Sequence, residues 1–358
     1  MAARPPAFDQ VKSEAFAGRV LEDTSMCMVT LMAALGDRLG LFKSLATSGP
    51  STSVELAART GVSERYAREW LGGMTAARYV EYDPDSGRFA LPREHAPTLA
   101  QEDGPFFVGG QYQTMLAAIA QIGRVEEAFR TGGGVPQSAY DDSLWDGQAR
   151  VSARWAENLL TQVWLPALPE VQTKLKRGAA VADVGCGRGL ALIKLALACP
   201  NSYYVGYDLF EPAIARASEN ARAAGVTDRV RFQQLDAANG LPAQFDVITT
   251  FDVVHDAADP HGLLRAIRQA LRPDGIYVCV ERNCSDTLEE NIGPTGALSY
   301  GMSLFYCMTT SLAAGGAGLG TLGLPETRLR ELCIEAGFRC VDRLPLENPF
   351  NAVYEIKP

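Results

Sequence analysis

Three carboxylates, a glycine-rich turn and one histidine are the residues of this chain whose types and spacing could do chemistry. The apolar run AAVADV leads straight into GCGRG, so Gly185, Gly187 and Gly189 follow a strand and open a helix. Asp183 stands two residues before the first of these glycines. Asp208 closes the next apolar run (YYVGYD), and Asp236 closes the one after that (VRFQQLDA). In an open α/β sheet, ligands sit beyond the carboxyl ends of the strands, and glycines there let a ligand approach the backbone. One such acid alone is readily a turn residue or a helix cap. Three of them at the ends of successive strands point to a ligand.

Two ligand classes compete for that turn. A dinucleotide needs G-x-G-x-x-G, with the third glycine at position 190 when counted from Gly185. Leu190 stands there, so that pattern fails. A carboxylate at Asp183 is also awkward beside a pyrophosphate, but welcome near a ligand that bears an ammonium and a sulfonium. Asp208, about 20 residues after the glycines, can accept from both ribose hydroxyls. Asp236 can accept from an adenine amino group.

The chain holds three histidines. His95 lies in the polar segment PREHAP and reads as a surface residue. His261 follows Pro260 at a helix start and reads as capping or exposed. His255, in FDVVHDAADP, falls just past the fourth strand, at the rim where a reacting group would lie. A side chain that titrates near neutrality is suited to take a proton there. Asp256 beside it could orient the imidazole, touch a substrate or cap a helix.

These residues need a scaffold. From Gly178 onward, strands are expected at Ala180–Val184, Tyr203–Tyr207, Val230–Gln234, Phe245–Thr250 and Gly275–Glu281. Helices are expected between them at Leu190–Ala198, Pro212–Ala224 and Pro260–Leu271. A last helix (Thr327–Ala336) and two strands (Arg339–Leu344, Ala352–Ile356) follow. Short apolar strands alternating with amphipathic helices predict an α/β fold with a parallel sheet covered on both faces. Upstream, the spacing of Leu31, Leu35, Leu39 and Phe42 predicts one helix over Met28–Leu45. Helices at Val54–Thr60 and Glu64–Ala77, the latter with a Ser63 cap, and strands at Tyr79–Tyr82 and Arg88–Leu91 make a winged helix. Helices over Gln111–Arg130 and Asp146–Leu165 connect the two parts. The expected divisions are 1–105, 106–177 and 178–358.

The run VADVGCGRG, then Asp208, LDA and FDVITTFDVVHD resembles the class I S-adenosylmethionine-dependent methyltransferases, over about residues 178–358. The resemblance implies a Rossmann-like, seven-stranded sheet behind a mostly helical winged-helix domain. It implies S-adenosyl-L-methionine as the methyl donor and S-adenosyl-L-homocysteine as the product. It puts Asp183, Gly185 and Gly187 near the methionine part, Asp208 and Leu209 at the ribose and adenine, Asp236 and Ala237 at the adenine, and Phe251 beside the sulfur. The winged helix in front is similar to that of small-molecule O-methyltransferases, where such a domain builds a dimer and part of the pocket. GMSLFYCMTTSLAAGGAGLG looks like a bacterial, including mycobacterial, group of that kind. The pair His255–Asp256 resembles the histidine-aspartate pair of phenolic O-methyltransferases, in which the histidine is the general base. The tryptophan that usually follows is here Ala257. No row of carboxylates surrounds the pair, so no metal is expected.

Composition narrows the remaining readings. An apolar fraction of 47% with 21% charged residues excludes disorder over the whole length. The net charge of −9 has the wrong sign for a general polyanion binder. Residues 30–100 balance eight basic against eight acidic side chains, so a DNA-binding ligand sensor is disfavoured. No nucleic acid and no membrane partner is expected. A nicotinamide-dependent oxidoreductase is disfavoured by Leu190. Eight cysteines without C-x-x-C or zinc spacing read as free thiols of a reducing cytoplasm. Asn291–Pro325 carries no charge over 35 positions but holds eight glycines, and lacks the Leu, Ile and Val of a spanning helix. That stretch either covers an apolar acceptor, with Tyr300, Phe305 and Tyr306 as walls, or forms a buried hairpin of the core. A homodimer through Met28–Leu45 and the winged helix fits the periodicity, as does a monomer core.

Overall fold

A capping box sets the start of the helix-turn-helix. The Thr52 hydroxyl accepts from the Glu55 backbone N–H (3.3 Å), and the Glu55 carboxylate accepts from the Thr52 N–H (3.0 Å). Helix Ser53–Thr60 then ends at Gly61, whose φ of +72° suits a glycine. Helix Glu64–Ala76 follows, and the Ser63 side chain at its start makes no capping hydrogen bond. Strands β1 (Glu81–Asp83) and β2 (Arg88–Ala90) pair antiparallel as the wing. The single helix expected over Met28–Leu45 is two, Gln10–Arg38 and Leu41–Ser48. They break where Gly40 turns left-handed, at φ +68°. Phe42, Leu45, Leu56, Trp70, Leu71 and Met74 form the core of this unit.

The computed structural model describes residues 8–358, and the chain divides into two units between Tyr112 and Gln113. The expected helix Gln111–Arg130 is two, Gly109–Ile119 and Ile122–Thr131. Helix Asp142–Trp155 runs on into a wider, π-helical stretch, Ala156–Trp164.

The second unit is built on a sheet of β3 (Ala180–Val184), β4 (Tyr203–Asp208), β5 (Val230–Gln234), β6 (Phe245–Phe251), β7 (Leu271–Arg282), β8 (Cys340–Arg343) and β9 (Asn351–Lys357). Its order is β5-β4-β3-β6-β7-β9-β8, parallel except for β9, which lies antiparallel between β7 and β8. Successive side chains face opposite ways, so Val181 and Val247 join Leu192, Tyr204 and Ile276 in one core. Val184 and Ile248 join Leu264, Tyr277 and Tyr354 in the other. The chain leaves β3 toward β4 and β5, then returns beside β3 as β6. That reversal opens a crevice at the carboxyl ends of the strands. The uncharged stretch after β7 forms helices Pro294–Met302 and Met308–Ala313, joined by a π-helical turn, Ser303–Cys307. Among the described residues, no single helix is long and apolar enough to cross a membrane.

Trp70 anchors the first unit. Its ring meets Phe42 edge-on at 4.9 Å, and its indole N–H donates to the Met32 carbonyl at 2.8 Å. Trp70→Ala should cost about 3–5 kcal/mol. Urea unfolding followed by circular dichroism checks this; a loss below about 1 kcal/mol would show that the indole is not the anchor.

Candidate active site

The turn after β3 is held by its neighbours' backbone. The N–H groups of Gly185 and Cys186 both donate to the Tyr207 carbonyl, at 2.8 and 3.0 Å. Gly185 has φ +70°, and a Cβ there would lie 2.5 Å from a Val253 methyl. Gly187, at φ +52°, has open space where its side chain would be. The turn therefore ends in a cradle that any side chain at Gly187 would fill.

Asp208 ties this cradle to the end of β4. Its Oδ2 accepts from the Gly187 N–H at 2.8 Å, and its Oδ1 accepts from the Phe210 N–H at 2.9 Å. Burial raises its pKa, against the pull of those N–H donors and that of Leu209. Asp183 is buried at the end of β3 and accepts from the Thr249 hydroxyl at 2.7 Å. Burial pushes its carboxyl up to about 7; the Thr249 hydrogen bond opposes this, and the negative charge of Asp208 adds to it. Among the described residues, neither acid is in a salt bridge with a basic side chain. These two acids thus lack a cationic partner.

Asp236 is exposed and caps the short turn Ala237–Asn239, accepting from the Ala238 N–H (3.1 Å) and the Asn239 side chain (2.9 Å). Ala237 is buried beside it, and Leu209 is exposed. Phe251, at the end of β6, stacks on Trp155 with ring centres 4.8 Å apart and lies parallel to Trp164 at 6.2 Å. The sequence reading did not single out Trp155.

His255 sits past β6 and is buried. The backbone reaches it through Asp252, which takes φ +55°, a strained value for a non-glycine residue. Glu281, from the end of β7, fixes both loop and ring. Its Oε1 accepts from the Val253 and Val254 N–H groups, at 3.2 and 2.7 Å, and its Oε2 accepts from Nδ1–H of His255 at 2.5 Å. On the other side, Nε2 lies 3.2 Å from Oδ1 of Asp256. Burial alone would push the imidazole down. The Asp256 and Glu281 carboxylates outweigh it and hold the pKa well above the ordinary value. Burial in turn raises Asp256. The sequence reading missed Glu281; its only local signal is a charge closing the apolar strand run IYVCVE.

The three aromatic candidates separate. Tyr300 is half exposed, at 46%, while Tyr306 is buried, edge-on to Tyr140 at 5.4 Å. Phe305 is partly buried, and its carbonyl accepts from the Tyr140 hydroxyl at 2.6 Å. His95 holds the Tyr79 carbonyl through Nδ1 at 3.0 Å, and His261 lies 3.8 Å from Glu335. Both are far in role from the rim.

Comparison with known proteins matches these two units. Residues 27–101 match the Rv2258c-like winged HTH domain, and residues 182–277 match a methyltransferase domain. The chain joins a winged helix-turn-helix domain to a methyltransferase domain. It is 33% identical over 138 residues to the 27-O-demethylrifamycin SV methyltransferase of Amycolatopsis mediterranei, covering 34% of this chain and 50% of that one. The chain spans about half the length of such curated relatives. Two solved structures share the fold over nearly the whole chain. Human N-acetylserotonin methyltransferase with S-adenosylmethionine is 18% identical with a TM-score of 0.72, covering 99% of each chain. An O-methyltransferase from neocarzinostatin biosynthesis, with S-adenosyl-L-homocysteine and 1,4-dihydroxy-2-naphthoic acid, is 19% identical with a TM-score of 0.65, covering 92% of this chain and 95% of that one.

The Asp183 carboxyl gives the methyltransferase domain a pH signature. Unfolded, it loses its proton near 3.8; folded, near about 7. Between these values the folded state holds more protons, so this group's contribution to stability falls as pH rises across the window and levels off above it. Asp183→Asn should therefore gain thermal stability relative to the unaltered chain from about pH 4 to about pH 7. A melting-temperature difference independent of pH would show that Asp183 is ionised throughout.

Proposed function

We propose that this chain transfers a methyl group from S-adenosylmethionine to a hydroxyl of a small, largely apolar or aromatic molecule, with His255 receiving the proton. The observation that carries this reading is the buried histidine fixed by Glu281 at the same rim as the glycine cradle. The residues present fit the donor. The Gly187 cradle is open, and Asp208 keeps acceptor capacity beyond its two backbone bonds, enough for ribose hydroxyls. Asp183, buried without a counter-charge, suits the cationic end of the donor. Asp236 and Ala237, with Leu209, would hold the adenine, and Phe251 would lie toward the sulfur.

When bound, S-adenosylmethionine supplies a methyl group already activated by positive sulfur. What remains for the protein is to align the acceptor, keep water out and take its proton. Glu281 holds Nδ1 protonated, so Nε2 is the nitrogen that faces the acceptor. The name of the relative from Amycolatopsis mediterranei, a 27-O-demethylrifamycin SV methyltransferase, fits a hydroxyl acceptor.

The DNA-binding reading finds less support. On helix Glu64–Ala76, Arg65 pairs with Glu69 and Arg68 pairs with Glu64 at 3.4 Å, so its cations are met within the helix. The nicotinamide reading fails on Leu190.

Assays of turnover on a panel of hydroxylated aromatics and calorimetry with S-adenosylhomocysteine test the proposal. His255→Ala should keep cofactor affinity and lose turnover by roughly 10²–10⁴-fold. Asp208→Ala should weaken the cofactor. Unchanged turnover removes His255 from the reaction; unchanged affinity removes Asp208 from the ribose. Stabilisation by NAD instead of S-adenosylhomocysteine would overturn the donor.

The raised His255 pKa predicts a pH profile as well. The base must be neutral, so turnover should rise as pH climbs through its pKa. Asp256→Asn withdraws one of the charges that favour the imidazolium, and should move that rise to lower pH. A profile unmoved by Asp256→Asn would mean that another group sets it.

A further inference from the structure

The fold gathers three metal-ligating side chains that lie far apart in the sequence. A ring nitrogen of His255, a carboxylate oxygen of Asp256 and the Cys307 sulfur all lie within 4.8 Å of one another. We propose that they form a three-donor site for a soft divalent cation, Zn²⁺, whose binding switches the enzyme off. Binding at this site stands on the donors alone; the inhibition rests on the role given above to His255.

Each donor is prepared for a metal. Nδ1–H of His255 donates its hydrogen bond to Glu281 and keeps its proton, which leaves Nε2 to coordinate. This carboxylate–histidine arrangement is the one that orients metal-bound imidazoles. Oδ1 of Asp256 lies 3.2 Å from Nε2 and is buried, yet accepts no hydrogen bond. Cys307 reaches in from the π-helical turn Ser303–Cys307 and is buried. Nitrogen, oxygen and sulfur on a tetrahedral Zn²⁺ stand about 3.3–3.8 Å apart, given bonds of about 2.0–2.3 Å. Nε2 and Oδ1 already stand at about that spacing, and the sulfur, within 4.8 Å of the other two donors, needs only to draw closer. The fourth position stays open for water.

Coordination needs a neutral imidazole and a thiolate. The Nε2 proton of the imidazolium and the Sγ proton of Cys307 both pass to solvent. The bound metal then holds the Nε2 lone pair, which can no longer take the acceptor's proton. No oxidation or reduction is involved.

Cobalt(II) titration of the full-length protein reads the site directly. A thiolate-to-cobalt charge-transfer band should appear and be bleached by one equivalent of Zn²⁺. Cys307→Ser should abolish the band, weaken Zn²⁺ on the order of 10-fold or more, and keep metal-free turnover while losing inhibition by Zn²⁺. Cys27→Ser, at an exposed thiol, should leave the band intact. The proposal is overturned if no band forms, or if the band survives in Cys307→Ser. Should neither Cys307→Ser nor Cys307→Ala fold, X-ray absorption at the zinc edge of the unaltered protein decides: one sulfur ligand supports the site, and none overturns it. A band lost in Cys307→Ser with turnover indifferent to Zn²⁺ keeps the metal site and overturns the His255 base, so the two failures are distinguishable.

Discussion

Everything at this rim depends on one reversal in the order of the sheet. β4 and β5 are laid on one side of β3, and β6 and β7 on the other. The connections above β3 and β6 therefore diverge, and the strand ends between them are left uncovered. The glycine turn, Asp183 and Asp208 come from the first half of the sheet. Phe251, His255 and Glu281 come from the second. Neither half carries both the cradle and the imidazole. The register that sets Asp183 opposite Thr249, and Phe251 opposite Val280, is what brings them to one edge.

The electrostatics of that edge follow from who has a partner. Removing an ion from water costs several kcal/mol even after the protein relaxes. One opposite charge at about 4 Å returns about 4 kcal/mol at an effective dielectric constant of ~20. His255 has two carboxylates, at 2.5 and 3.2 Å, so the charged ring wins. Asp183 has one hydroxyl and a like charge nearby, so its ionised form loses ground. The same rim thus holds one group driven toward its charged state and one driven away from it. A cationic ligand beside Asp183 would reverse the second without touching the first.

Much of this was legible in the sequence because it is local. The strand AVADV, the glycines and Asp183 lie within ten residues, and their roles follow from strand period and turn chemistry. Asp208 and His255 were singled out the same way, as residues at or just past the ends of apolar runs. Glu281 was not, because it acts on a ring 26 residues earlier in the chain, and only the β6–β7 pairing reveals this. Cys307 was hidden for a similar reason: the expected thiols were judged on sequence spacing, and the π-helical turn that aims one at His255 leaves no periodic signature. The break at Gly40 was missed because the apolar spacing runs on through it while the backbone does not.

The stretch without charge, Asn291–Pro325, gains a meaning from the charges opposite it. Its buried polar groups, Ser299, Ser303, Thr309, Thr310, Ser311 and Thr321, are all neutral hydroxyls. Several are spent on backbone: Thr310 bonds the Tyr306 carbonyl at 2.9 Å, and the Ser303 oxygen accepts from the Thr321 N–H at 3.2 Å. This segment therefore adds no charged side chain, and the charges around His255 come from Asp256 and Glu281, with Asp252 and its partner Arg282 beside them. An anionic acceptor would meet the carboxylates clustered around a single imidazolium, and a cationic one would compete with that imidazolium for them. A neutral molecule meets neither obstacle, and on the proposed reading its hydroxyl can give up a proton to Nε2 once the ring is neutral, as the pH profile above requires. The electrostatics and the composition of the stretch thus both favour the acceptor we propose, one that is uncharged until its proton leaves.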